Sequence, residues 1–128
     1  KKSKVNSFTK KAIAQNNISI INYLNKNKHK YDYMLVSVIS PLRQTRILAR
    51  KKFGSNYFEV HTKCNLRELI KRDTKKLYLK AKLKQIDNLI GYNSKINYEK
   101  TKYKKISVNT AKETIKESGK KILKKINK

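Results

Sequence analysis

The stretch Tyr33-Met34-Leu35-Val36-Ser37-Val38-Ile39-Ser40-Pro41 decides how the rest of the chain is read. Residues 31–39 form a near-continuous apolar run rich in β-branched and aromatic side chains. That is the pattern of a strand covered on both faces by helices, as in parallel sheets. Ser40 can accept the first free amide of a helix, and Pro41 suits its first turn. The expectation is therefore a strand over 31–39 and a helix over 42–53, ended near Gly54. Working upstream, Ile20, Ile21 and Leu24 recur at helical spacing, which predicts an amphipathic helix over 16–28. A polar break, Lys26-Asn27-Lys28-His29-Lys30, separates it from the apolar run, and residues 1–15 are polar and basic.

Downstream, Tyr57-Phe58-Glu59-Val60-His61-Thr62 reads as a second strand. Asn65 with Glu68 three residues on resembles a capping pair and opens a helix through about Arg72. Residues 74–84 read as another helix, and 87–102 as a long loop. A short third strand is expected over 105–109. Thr110 and Glu113 repeat the capping signature before a last helix, which should pack on the sheet through Ile115, Ile122, Leu123 and Ile126. Strand and helix alternate with no hairpin turn, the mark of a parallel α/β architecture. A first helix with no strand before it, and so few strands, suggest one partial domain over 1–128, the later portion of a larger α/β unit.

The chain has 128 residues, with 34 Lys+Arg against 8 Asp+Glu and a formal charge of +26. Such a charge attracts phosphates, nucleic acid or acidic membrane. However, 29 of the basic residues are Lys and only 5 are Arg, beside 13 Asn and 14 Ile. Lys, Asn and Ile share A/T-rich codons, so genome-wide composition bias could supply much of the lysine without selection for a partner. Base reading leans on Arg, which is scarce here, and the lysines are scattered. A basic nucleic-acid-binding module is accordingly the rival from another class, not the first choice. No apolar run approaches the roughly 20 residues that cross a bilayer. Lys1-Lys2-Ser3-Lys4 is not followed by an apolar signal core. A single cysteine, Cys64, excludes an internal disulfide and a cysteine-rich zinc site, and a reducing, cytoplasmic setting is expected. His29 and His61 lack the spacing of metal ligands, and no metal-binding residue is expected.

Two segments carry a resemblance. One is Ile39-Ser40-Pro41-Leu42-Arg43 followed by Arg46 to Arg50; the other runs from Arg72-Asp73-Thr74-Lys75 to Lys82. Together with Phe58-Glu59-Val60, Leu89 to Asn93 and Val108 to Thr110, in that order, they resemble the adenylylsulfate kinases. That family's pattern reads I-S-P-Y-R, R-x-x-A-R, F-x-E-V, R-D-x-K-G-L-Y-x-K-A-R, F-T-G-I-D and D-T. Phe8 through Asn16 matches the spacing of its F-S-x-x-D-R-x-x-N segment.

The resemblance implies a P-loop kinase-like parallel sheet flanked by helices, N-terminally truncated. It also implies transfer of phosphate from ATP, with Mg²⁺, to the 3′-hydroxyl of adenosine 5′-phosphosulfate, within sulfate assimilation. Substrate contacts carried over from the family are Ile39, Ser40, Lys75, Asn88 and Leu89, with Phe8 and Asn16 beside them. Residues 74–99 would act as a mobile lid. A small nucleotide is the implied partner, with no specific nucleic acid and no membrane, and a homodimer is left open. Several positions depart from the pattern. Ala12-Ile13 replaces Asp-Arg, Leu42 replaces the tyrosine, Lys76 replaces the glycine, Lys82 replaces an arginine, and Leu89 replaces a stacking Phe. These departures leave open a related kinase with a different acceptor. The phosphate-cradling G-x-x-x-x-G-K-[ST] cannot be drawn through Gly54, Gly91 and Gly119. No catalytic residue is identifiable, and this fragment alone should be inactive.

Overall fold

The computed structural model describes residues 8–127. The basic opening, residues 1–7, lies outside them. Helix α1 spans Lys10–Asn27 and begins six residues earlier than its apolar spacing suggests, because the Thr9 side chain accepts from the Ala12 amide and caps it. A single 3₁₀ turn, Lys28–Lys30, ends this arm. Helix α2 spans Arg43–Phe53. It stops at Gly54, whose φ of 56° and ψ of −128° suit only glycine.

Strand β1 (Val60–Lys63) and strand β2 (Ile106–Asn109) pair in parallel, Val60 opposite Ile106 and Lys63 opposite Asn109. The ladder extends one residue each way, through Ile106 N–H to the Glu59 carbonyl and Thr110 N–H to the Lys63 carbonyl. The crossover between them contains α3 (Leu66–Arg72) and α4 (Leu77–Lys82). Helix α5 (Ile115–Ile126) follows β2 and packs beside it, while α1 packs on α2. The result is a small parallel sheet flanked by helices. Val108, only 2% exposed, lies on β2; among the described residues Ile21, Pro41, Leu42, Ala49, Ala81 and Ile96 are the other buried apolar side chains.

Four sequence expectations need correction. The first concerns residues 31–39, which form no strand. Among the described residues no backbone hydrogen bond reaches 32–39, and a strand exists only through its ladder. Their apolar side chains stand in solvent instead, Leu35 at 95% exposure and Tyr33 at 68%.

The second concerns Ser40, which does not cap α2. The N-cap position is Leu42, and the Arg43 amide donates to the Glu99 carboxylate at 2.7 Å. A partner 56 residues away does what the local serine was expected to do.

Third, the helix expected over 74–84 occupies only Leu77–Lys82. The Asp73 carboxylate accepts from the amides of Leu77 (2.8 Å) and Leu79 (3.0 Å), which fixes the start three residues later.

The fourth concerns Thr110 and Glu113, which do not open the last helix. Thr110 N–H and Oγ1 both donate to the Lys63 carbonyl, drawn into the ladder. The capping box forms instead at Thr114 and Glu117. The apolar stripe of α5 is only partly used, since Ile115 is 93% exposed.

Candidate functional site: the Ile39–Ser40 rim and the 73–93 segment

The site is built around a buried polar cluster that the sequence reading missed. Asn17 (4% exposed) and Thr45 (5%) face each other from α1 and α2. Asn17 Nδ2 donates to Ser40 Oγ at 3.2 Å, and Ser40 Oγ lies 3.3 Å from Thr45 Oγ1. Thr45 spends its only hydroxyl hydrogen on the Leu42 carbonyl at 2.9 Å, so Ser40 must be the donor to Thr45. The Ser40 hydroxyl is thus committed to the interior. What this rim can still offer an anionic ligand is the amides of Ile39 and Ser40, neither of which donates to any described group. Ile39 is 56% exposed.

Arg46 fixes the same rim from below. Its Nη1 donates to the Ser40 carbonyl at 2.6 Å and its Nη2 to the Glu99 carbonyl. Its Nε stands 3.6 Å from the Glu59 carboxylate, both side chains being 11% exposed. Glu99 N–H donates in turn to the Pro41 carbonyl at 2.9 Å. Segment 97–100 is therefore held against the start of α2.

Lys75 lies exposed in the turn between α3 and α4. That turn is set by Asp73, with the next residue, Lys76, at φ 55°. Desolvation raises the Asp73 pKa, but the amides of Leu79, Tyr78 and Leu77, with Lys76, outweigh it and hold the carboxyl below its usual range. Asp73 is thus an organising anion committed to the start of α4.

Asn88 and Leu89 are half-buried. Asn93 pins them: Leu89 N–H donates to Asn93 Oδ1 at 3.0 Å, and Asn93 Nδ2 donates to the Ile86 carbonyl at 2.7 Å. Gly91, at φ 87°, makes the turn between. Tyr78 and Tyr92 meet edge to face at 5.5 Å, tying this turn to α4.

Burial, then the neighbouring Tyr78, raises the Tyr98 pKa, and Arg46 lowers it. Of the remaining expected contacts, Phe8 is 52% exposed beside the Thr9 cap, and Asn16 is exposed on α1. Ile13 is half-buried on the same helix.

Two clefts flank these residues without being lined by them. One of about 690 Å³ lies between Lys10, Lys11 and Ala14 of α1 and Leu42, Arg43 and Gln44 of α2. Glu99 and Lys100 close it. The other, about 250 Å³, is bounded by Asp73, Lys76, Tyr78 and Tyr92. The larger falls in the size range of small-ligand pockets. Among the described residues no group of three His, Cys, Asp or Glu gathers to hold a metal ion. Likewise among them, no helix is long and apolar enough to cross a membrane.

A family model, "Adenylylsulphate kinase", matches residues 4–109. An adenylyl-sulfate kinase from Halothermothrix orenii is 34% identical over 118 residues, 92% of this chain and 55% of that protein. One from Clostridium acetobutylicum is 38% identical over 80 residues, 62% of this chain and 39% of that protein. A cytidine diphosphoramidate kinase from Campylobacter jejuni is 33% identical over 93 residues, 73% of this chain and 53% of that protein. The chain spans about half the length of the curated relatives it matches. With a parallel β-α-β arrangement and a family match over most of its length, the chain belongs to the adenylylsulphate kinase family.

Proposed function

We propose that this stretch supplies the acceptor side of an ATP-dependent adenylylsulfate kinase. It would hold adenosine 5′-phosphosulfate while its 3′-hydroxyl takes the terminal phosphoryl group of ATP, giving ADP and 3′-phosphoadenylylsulfate for sulfate assimilation. The observation that supports it best is the pair of uncommitted amides at Ile39 and Ser40, in the segment that the family match covers. They suit an anionic oxygen, as backbone donors at functional sites do. Lys75 adds a mobile positive charge, and Asn88 and Leu89 offer a polar edge and an apolar surface to the base. Phe8, just before the Thr9 cap, and Asn16, on the exposed side of α1, would complete the set. Residues 74–99 act as the lid, bounded by Asp73 at one end and Glu99 at the other.

No glycine-rich phosphate cradle can be drawn in these 128 residues, so the chain by itself binds acceptor but transfers nothing. Titration calorimetry with adenylylsulfate, beside a coupled ADP-release assay, tests both halves of this reading. Saturable binding without ADP release is expected. Absence of saturable binding overturns the acceptor role, and ADP release by the isolated chain overturns its inactivity.

A second reading is favoured by one relative, whose name makes cytidine diphosphoramidate its substrate. Ile13 and Leu89 lack the cation and the ring that the adenylylsulfate pattern places there. Tighter binding of a cytidine diphosphate ester than of adenylylsulfate in the same titration would select that reading.

A further inference from the structure

We propose that Asn17 is a positioning residue for the Ile39–Ser40 rim: it orients the two uncommitted amides without touching the ligand itself. The inference rests on the acceptor reading of that rim and names what holds it in place. Among the described residues no backbone hydrogen bond reaches 32–39, so Ser40 is where this segment is fastened to the helices. It is fastened twice. Its carbonyl accepts from Arg46 Nη1 at 2.6 Å. Its hydroxyl accepts from Asn17 Nδ2 at 3.2 Å and donates to Thr45 Oγ1 at 3.3 Å. Thr45 donates onward to the Leu42 carbonyl at 2.9 Å. The donors therefore run one way, from α1 through the rim to the N-cap residue of α2.

These two ties decide where the Ser40 amide points. On a tetrahedral Cα, fixing the directions of Cβ and the carbonyl carbon leaves one place for the nitrogen. Pro41 follows with its side chain fully buried, and a residue before proline is confined to extended backbone angles. The direction of the Ser40 N–H follows from both. Without the Asn17 donor, only Thr45 would hold the Ser40 hydroxyl.

Stability does not account for an asparagine at this position. Asn17 is 4% exposed on the α1 stripe that carries Ile21, and its Oδ1 has no hydrogen-bond partner among the described residues. A buried oxygen left unpaired costs free energy that an aliphatic side chain would not. What Asn17 adds over such a side chain is its Nδ2 donor, and that donor serves Ser40.

Asn17→Leu removes the donor and the unpaired oxygen together, so helicity and the thermal midpoint should hold or rise. Amide NMR relaxation of the isotopically labelled full chain reads the rim without ligand. The order parameters at Ser40 and Ile39 should fall from about 0.85 to about 0.6 or below, with α1 and α2 unchanged. Adenylylsulfate, titrated by calorimetry, should bind Asn17→Leu about tenfold more weakly than the native chain. Thr45→Val cuts the same chain of donors from the α2 side and should act in the same direction, which keeps the test in force should Asn17→Leu fail to fold. Native order parameters at Ile39 and Ser40 in these variants overturn the inference. So does adenylylsulfate binding of native strength by a variant whose rim has loosened. Absence of saturable binding by the native chain overturns the acceptor reading, whereas the relaxation result still decides whether Asn17 holds the rim.

Discussion

Arg46 Nη1 lies 2.6 Å from the carbonyl oxygen of Ser40, so the guanidinium of α2 reaches back over its own helix start to hold the rim that precedes it. The same side chain holds the Glu99 carbonyl and faces Glu59. Removing it strands a nearly buried carboxylate and two carbonyls. Arg46→Ala should cost about 3 kcal/mol, the scale for breaking a buried pair from one side. Arg46→Lys keeps the charge but not the planar fork, and should recover only part of the loss. Urea unfolding with an unchanged m value measures both.

Glu99 caps α2 across 56 residues by accepting from the Arg43 amide. Glu99→Ala should destabilise by about 1–2 kcal/mol, as losses of charged N-terminal partners do. Glu99→Gln, which keeps an acceptor, should lose less. Because Glu99 also closes the larger cleft, both variants are best compared by unfolding and by adenylylsulfate titration together.

Acid should loosen α5 before the rest. The Glu117 carboxyl is held below its usual range first by the Thr114 amide, then by the Thr114 hydroxyl. The Glu113 carboxyl is lowered first by the Asn109 amide, then by Lys121. Groups whose folded pKa is depressed give stability that is complete above the unfolded value and vanishes as pH falls through the folded one. Helicity of α5 should therefore hold at neutral pH and decline below the ordinary glutamate range. Glu117→Gln should flatten that acid limb, read by circular dichroism against pH.

Leu89 sits where the family pattern carries a stacking Phe, on a turn pinned by Asn93. Stacking of a base on an aromatic ring contributes about 1–3 kcal/mol. Leu89→Phe should tighten adenylylsulfate binding by roughly tenfold, measured by calorimetry. Asn93→Ala, which frees the Leu89 amide and the Ile86 carbonyl, should weaken it.

Local signals were legible where their partners are near in sequence. The Asn65 cap, the Gly54 stop and the parallel β1–β2 order all follow from residues a few positions apart or from alternation. Three features were not. Ser40 reads as a cap because its real partners, Asn17 and Thr45, come together only when α1 packs on α2. Asn17 was hidden because it lies four residues before Ile21 on the buried stripe of α1, where an apolar residue is expected. Its polarity on that stripe was the available signal. The 31–39 run has the composition of a strand, but composition cannot supply the neighbour that makes one.

We propose that the Ile39–Ser40 amides and Lys75 address one anionic nucleotide. Amide NMR of the isotopically labelled chain, titrated with adenylylsulfate at physiological salt, tests it directly. Saturable shifts are expected at Ile39, Ser40, Lys75 and Asn88–Leu89, all fitting one dissociation constant. Shifts confined to the lysine-rich α5, unsaturable and abolished by salt, would contradict it.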